Sequence, residues 1–541
     1  MAFRSMMLAP TTCGMLRYVG FVVALVLLVA GWLAIGPWIL TALLVALLVP
    51  ATRRRMRPNR WLLGGLAAVV VAATAVVVLL PDGRLPIPPG GGLLVTSSYD
   101  GDAVEPQPIA LSVPQHPGLA ANGSSTMHGD AWATDSYQGP GPLGKNPEVT
   151  TSWYGLKECA TLAFDPDGRL VGLCGDRTGP VLHVLDPETM RPVETLDLPD
   201  REESDKQPWE DLCGGAYFYL DAAARAVVAT TDRRVLTVDS DGLEIVDEVD
   251  LNDVVPDDDC LVALLPDWEG NTWYVSQDGR VGVAGGTAEG TPLDLAGEIA
   301  NSIAADDTGV YLVTTEALVK VALDSNQQPE VVWQRAYDHG SQQKPGQLSA
   351  GSGTTPTLLP GGLVAITDNA DSQMHVQFYD ALDGRLVCQA AVFGKDESAS
   401  DNSLVAVGDA SVVVENNYGY EAPWTTMAGR ATPGGLARVD ADPATGKCSV
   451  GWHSDEVAPT SVAKVSLATG LVYAYTTRAS RWGVSAWYLT AIDARTGRTA
   501  FSVRTGLGTL MNNHYAAITL APDGSAYVAT LTGMVRVRDS D

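Results

Sequence analysis

The sequence predicts an all-β protein. It reads as a β-propeller of eight four-stranded blades, the last closed by an N-terminal strand, preceded by N-terminal transmembrane helices. Three observations predict this. Charge divides sharply near Pro81, one phrase recurs eight times from Glu158 onward, and the final repeat stops one strand short of a blade.

The 541 residues carry 35 basic and 63 acidic groups, a formal charge of −28. Residues 1–80 hold seven Arg and no Asp or Glu, which leaves 28 basic against 63 acidic groups, −35, on the other 461. So acidic a surface repels phosphate backbones and excludes nucleic-acid binding. Tyr18 to Ala51 is apolar, broken at Gly36-Pro37, and Trp61 to Leu80 is a second apolar run of 20 residues. A crossing helix needs about 20 apolar residues. The second run fits one span, and the first is either one kinked span or a tight hairpin, so two or three are expected. RRRMRPNR, Arg53 to Arg60, lies between the runs. Positive loops stay cytoplasmic, which sends residues 82–541 out of the cytoplasm. Two long runs around a basic loop do not resemble a cleaved signal peptide. Arg outnumbers Lys 27 to 8, the flavour of a high-GC bacterial genome. The expected location is a bacterial cell membrane with the propeller on its extracytoplasmic side.

The expected organisation is a membrane anchor over 1–80, a Pro/Gly-rich linker and approach segment over 81–150, and the propeller over 151–541. Strands are expected in the approach segment, at Leu93–Ser97 and Pro108–Val113 for example, and one strand of this segment is expected to close the ring. From Glu158 short β-rich runs alternate with Asp/Gly turns, as in ECATLAFDPDGRLVGLCG. Copies begin at Glu158, Asp211, Asp259, Asn301, Thr354, Asn402, Ser461 and His514, spaced 42 to 59 residues apart. Repeats of about 40–50 residues with several short strands signal propeller blades. A second phrase closes several repeats, as in YDALDGRLVCQ and IDARTGRTAFSV. Asp there accepts backbone N–H bonds and Gly tolerates positive φ.

Cys13 precedes the apolar runs, and Cys159, Cys174, Cys213, Cys260, Cys388 and Cys448 all fall in the exported part. An even count outside the cytoplasm suits disulfides. Cys159 and Cys174 face each other across a hairpin, on a register in which Phe164 and Arg169 flank the turn. Cys213 and Cys260 fall near the starts of adjacent inner strands. Cys388 and Cys448 fall on outer strands of neighbouring blades, where a wide gap is expected, so this pair ranks last and connectivity stays open.

VDADPATGKCSVGW and IDARTGRTAFSV resemble the D-x-x-T-G-[KR] turn repeats of the quinoprotein (PQQ-type) eight-bladed propeller superfamily, over roughly residues 150–541. An anchor before an exported propeller also resembles membrane-bound quinoprotein dehydrogenases. Those enzymes use a disulfide between adjacent cysteines beside the quinone, and no Cys-Cys pair exists here. The tryptophan-docking repeat is kept only where a repeat ends at Trp452. The resemblance therefore carries the fold and not PQQ. NSIAADDTGVYLV and DNSLVAVGDASVVV also resemble the inner strands of calcium-dependent lactonase-type propellers. That resemblance implies a Ca²⁺ held by Glu158 or Glu210, Asn301 and Asn402.

Inner-strand starts and the loops between second and third strands share one face of a propeller, the expected binding face. ENNYGY is the most distinctive loop there. Glu415, Asn416, Asn417, Tyr418, Asp368, Asn369, His339 and His514 are the candidate ligand-binding residues, suited to Ca²⁺ or a polyhydroxylated ligand. His339 and His514 are acid/base candidates. Lys344, in the long loop Tyr337–Thr355, is expected to be solvated. GPGPLGKN lacks the Ser/Thr of a P-loop, and no H-E-x-x-H or G-x-S-x-G is present. Two functions follow: a binding or scaffold module of the cell envelope with a protein or glycan partner, or a Ca²⁺-dependent propeller enzyme, oxidoreductase or hydrolase.

Overall fold

The computed structural model describes residues 10–50, 60–121, 123–201, 211–213, 217–285 and 291–540. Glu210 and most of the Arg53–Arg60 loop lie outside the described residues.

Eight sheets form the ring, each built on four antiparallel blade strands, and the sheet of blade 7 gains one further strand at each edge, the inner one parallel. Blade 1 runs Glu158–Phe164, Leu170–Gly175, Pro180–Asp186 and Arg191–Asp197. Inner strands of blades 2 to 8 start at Phe218, Leu261, Ala304, Thr357, Val405, Lys464 and Ile518, each just after a repeat start read from the sequence. Blade 8 has three strands of its own, and Pro147–Trp153 pairs with Gly533–Asp539 to complete it. This closure leaves the ring no free edge at the chain ends. Leu93–Ser97 and Pro108–Val113 are not strands. Pro106, Pro108 and Pro114 lack the N–H a ladder needs, and the approach segment pairs instead through Tyr99–Gly101 and Ser136–Tyr137.

Side-chain chemistry explains the turns. Asp165 Oδ1 accepts the Asp167 and Arg169 amides at 3.0 and 2.8 Å, and Asp221 and Asp267 repeat the arrangement in blades 2 and 3. Trp452 Nε1 donates to Ala494 O at 3.0 Å while its ring covers Gly497, where a Cβ would lie 2.5 Å from it. Trp333 does the same against Ala381 O (3.2 Å) and Gly384. Among the described residues docking is thus seen in two blades, not one. Trp333 was hidden because no T-G-[KR] turn precedes it.

All three cysteine pairs are bonded: Cys159–Cys174, Cys213–Cys260 and Cys388–Cys448. The first hairpin reaches its pairing differently from the expected register. Phe164 faces Leu170, and an irregularity between Cys159 and Thr161 restores the cysteine pair. The third pair is not too far apart: its Cα atoms lie 5.5 Å from each other, because neighbouring outer strands pack side by side. Three disulfides point to an oxidising, extracytoplasmic setting. Cys388→Ala with Cys448→Ala opens a 60-residue link and is expected to cost about 2–4 kcal/mol, read as a lower melting temperature under non-reducing conditions.

The approach segment crosses the central channel. Main-chain amides of Leu220, Ala305, Leu358, Ala406 and Val465, from the inner strands of blades 2, 4, 5, 6 and 7, donate to carbonyls of Ser125, Ala131, Trp132, Thr134 and Asp135 at 2.7–3.0 Å. Inner edges that would otherwise face the channel unpaired are satisfied by this plug. At its centre Asp135, fully buried, lies 2.9 Å from Lys464 Nζ and 3.1 Å from His128 Nδ1. Burial pulls the Asp135 carboxyl upward, but Lys464 and His128 outweigh it and hold it below the usual value.

Helix α1 (Pro10–Ile35), α2 (Trp38–Leu48) and α3 (Arg60–Leu79) cover the apolar runs. Among the described residues no helix is long and apolar enough to cross a membrane. Gly36 adopts φ +62° between α1 and α2. A Cβ on Gly31 would lie 2.6 Å from Ile39, eight residues on, so the chain turns sharply here. The turn rests on the propeller. Gly92 and Leu93 amides donate to Leu33 O at 3.0 and 2.8 Å, and the Trp38 ring meets Trp482 edge-on at 5.6 Å. The segment after α3 is tied down by Gly83 N to Trp153 O (2.8 Å) and by the Asp82–Lys157 ion pair.

Candidate functional site

A cleft of about 560 Å³ opens on the face that carries the inner-strand starts. Met127 and His128 of the plug line it, together with Glu158, Asn301, Asp401, Asn402 and His514 from strand starts. Glu158, Asn301, Asn402 and His514 come together because each stands near the start of an inner strand of its blade. Tyr217, Tyr515, Val462 and Ala516 supply apolar wall, and Leu156, Trp424 and Leu510 stand at its mouth.

The polar groups are under-partnered. Asn402 is 2% exposed; its Nδ2 donates to Glu415 Oε2 at 2.7 Å and to Ser461 O, while its Oδ1 has no partner. Glu158 Oε1 and Glu415 Oε1 are likewise buried without partners. Burial pushes Glu158 and Glu415 well above the usual carboxylate value. Asp401 rises to about 7 for the same reason, against the one amide of Leu348 that donates to it at 3.1 Å. Unsatisfied acceptors in an apolar cleft are costly to keep, and they match a ligand that donates hydrogen bonds.

The expected residues divide into two groups. Glu158, Asn301, Asn402 and His514 line the cleft, and Glu415 backs it through Asn402. The others hold loops. Asn416 Nδ2 binds Glu397 O and Gly434 O, and Asn417 Nδ2 binds Pro459 O. Asn369 Nδ2 binds His339 O and Gln342 O. Asp368 is buried against His375, whose Nδ1 lies 2.8 Å from it, and Tyr418 donates its amide to Asn416 Oδ1. His339 is exposed away from the cleft. Lys344 is not solvated: it is 8% exposed, its Nζ donates to Ala370 O at 2.5 Å, and burial lowers its pKa. His514 Nδ1 lies 3.2 Å from the Tyr420 hydroxyl, which accepts from Asn512 Nδ2. Among the described residues no three His, Cys, Asp or Glu side chains group closely enough to hold a metal ion. The Ca²⁺ set expected from the sequence would therefore have to be completed by amide and carbonyl oxygens. Sequence reasoning missed His128, Tyr217, Trp424 and Tyr515. His128 sits in a stretch of small polar residues with no periodicity, and Trp424 follows ENNYGY by only a few positions.

No family model matches the chain. An uncharacterized protein of Archaeoglobus fulgidus is 26% identical over 318 residues, which cover 52% of this chain and 61% of that protein, so the chain spans less than two thirds of its relative. Among solved structures it is similar to a quinohemoprotein alcohol dehydrogenase from Comamonas testosteroni, with 12% identity, 77% and 81% of the two chains covered, and a TM-score of 0.48. It is also similar to BamB from Moraxella catarrhalis, with 14% identity, 57% and 93% covered, and a TM-score of 0.35. The fold and cleft together define a plugged eight-bladed propeller. Nothing of those proteins' chemistry comes with a likeness at that level.

Proposed function

We propose that the chain is a membrane-anchored, extracytoplasmic propeller serving as a binding or scaffold module of the cell envelope, its cleft-bearing face meeting an envelope protein or glycan. The observation that carries this reading is the cleft itself. It is backed by the plug and lined by buried acceptors that lack partners, an arrangement suited to holding a ligand. The anchor is supported by the apolar runs, by their acid-free charge and by the positive loop between them.

Two measurements test this. In intact cells of a Cys13→Ser background, an impermeant maleimide is expected to label Leu382→Cys, an exposed propeller position, but to label Arg54→Cys only after permeabilisation. Labelling of Arg54→Cys in intact cells overturns the topology. A photoreactive side chain at Leu510 is expected to capture an envelope component in native membranes, whereas one at Leu382 is expected to capture none. Equal capture from both positions overturns the cleft-bearing face as the contact surface.

A further inference from the structure

The helices attach to the same face on which the cleft opens. Trp482 and Val484, which meet Trp38 and Gly36, lie in the loop between the second and third strands of blade 7. Leu507, against which Gly90 packs, ends the outer strand of that blade. Trp153 and Lys157, which hold the segment after α3, lie where blade 8 passes into blade 1. These are ends or loops on the cleft-bearing face, and the segment after α3 also reaches round the rim, where Arg191 Nε, at the start of blade 1's outer strand, donates to Gly83 O at 3.1 Å. With the anchor in a bilayer, that face is turned towards the membrane surface. Its exposed apolar side chains follow the same logic: Leu156 is 73% exposed, Trp424 50%, Met427 45% and Trp482 40%. Two of these, Leu156 and Trp424, stand at the cleft mouth. Exposed aromatic and aliphatic groups at such a level suit the headgroup region.

The interior of the cleft is different. Its wall is apolar through Tyr217, Val462, Tyr515 and Ala516. At its inner end the buried atoms without partners are acceptors, Asn402 Oδ1 and Glu158 Oε1, with the Asp401 carboxyl beside them, while of the two arginines on the lining Arg177 is exposed and Arg201 lies 3.8 Å from Asp211. A group that donates hydrogen bonds suits this end, and beside two carboxyl groups a cation, which favours their ionised forms, does so best.

We propose that the cleft takes a membrane-borne amphiphile with an amine head, its ammonium group against Glu158, Asp401 and Asn402 and its chain leaving past Leu156, Trp424 and Leu510 towards the bilayer. This rests on the anchored, extracytoplasmic reading above, and maleimide labelling tests that reading separately.

The test is calorimetric titration of the full chain in phosphatidylcholine nanodiscs with tetradecylamine, tetradecanol and butylamine, with empty nanodiscs as the baseline. Saturable binding of one tetradecylamine per chain is expected, at least tenfold tighter than tetradecanol and than butylamine. Glu158→Gln is expected to weaken tetradecylamine at least tenfold while leaving tetradecanol within about twofold. Trp424→Ser, at a half-exposed site, is expected to weaken both long-chain probes. Each variant is checked for an unchanged melting temperature. If Glu158→Gln fails to fold, Asp401→Asn is read in its place. Equal affinity for amine and alcohol overturns the amine head. Equal affinity for butylamine overturns the membrane-borne chain. No saturable binding overturns the whole proposal, while correct maleimide labelling would leave the anchored reading standing.

Discussion

Asp135→Asn is expected to destabilise the chain by about 3–5 kcal/mol, seen as a lower guanidinium midpoint in detergent. The side chain keeps its shape, and Asn tolerates the left-handed backbone at this position, φ 51°. What is lost is charge. Lys464, 4% exposed, keeps its bond to Met127 O at 2.8 Å but has no counter-ion. Removing one partner of a buried pair leaves the other charged and dehydrated, which costs more than the pair contributes. Lys464→Met should be similarly damaging, and Asp135→Asn with Lys464→Met less so than the sum of the two. The double-mutant cycle measures that coupling. A loss below about 1 kcal/mol for Asp135→Asn would show that the plug is held by its main-chain bonds alone. The acid limb of stability follows in sign. The folded pKa of Asp135 lies below its unfolded value. Its contribution is therefore present above the unfolded pKa and is lost as pH falls through the folded one.

The ring was legible because a blade is written locally. An Asp that caps its own turn, a Gly or Met at positive φ and two β-runs recur within each repeat, and none of these needs a distant partner. The strand-start residues were legible for the same reason. Glu158, Asn301, Asn402 and His514 stand near inner-strand starts, and eightfold repetition carries those starts to one mouth. Loop residues do not inherit that placement. Asn369, Asn416 and Asn417 look like ligand groups in the sequence, yet each amide is spent on backbone carbonyls of neighbouring loops. The plug was illegible because it has no period. Its contacts are main-chain bonds to five blades, bent through left-handed residues at Ala133 and Asp135. Its ion pair with the ring, Asp135–Lys464, joins residues 329 apart in the chain.

The buried carboxyls of the cleft should make the protein less stable as pH rises from 4 to 7, the reverse of ordinary acid denaturation. Asp401 titrates near 7 in the folded chain against an ordinary value of 3.8. Between these two values the folded state holds a proton that the unfolded state has released, so each pH unit removes stability. Below the unfolded pKa the contribution is fully present, and above about pH 7 it is gone. The loss from this group alone reaches up to about 4 kcal/mol. Glu158 and Glu415, raised by the same burial, add in the same direction. So does Asp130 of the plug, which rises to about 6 despite the hydroxyl and amide of Thr134 that it accepts. Asp135, displaced the other way, acts only at lower pH and leaves this window alone. Asp401→Asn should flatten the profile and raise the melting temperature at pH 8 relative to the parent, while the two melt closely together at pH 4. A parent whose stability climbs steadily from pH 4 to 8 would mean that the cleft carboxyls are already ionised and partnered. A ligand that donates to them would have the opposite effect to burial: it stabilises the ionised forms and restores at neutral pH what burial removes.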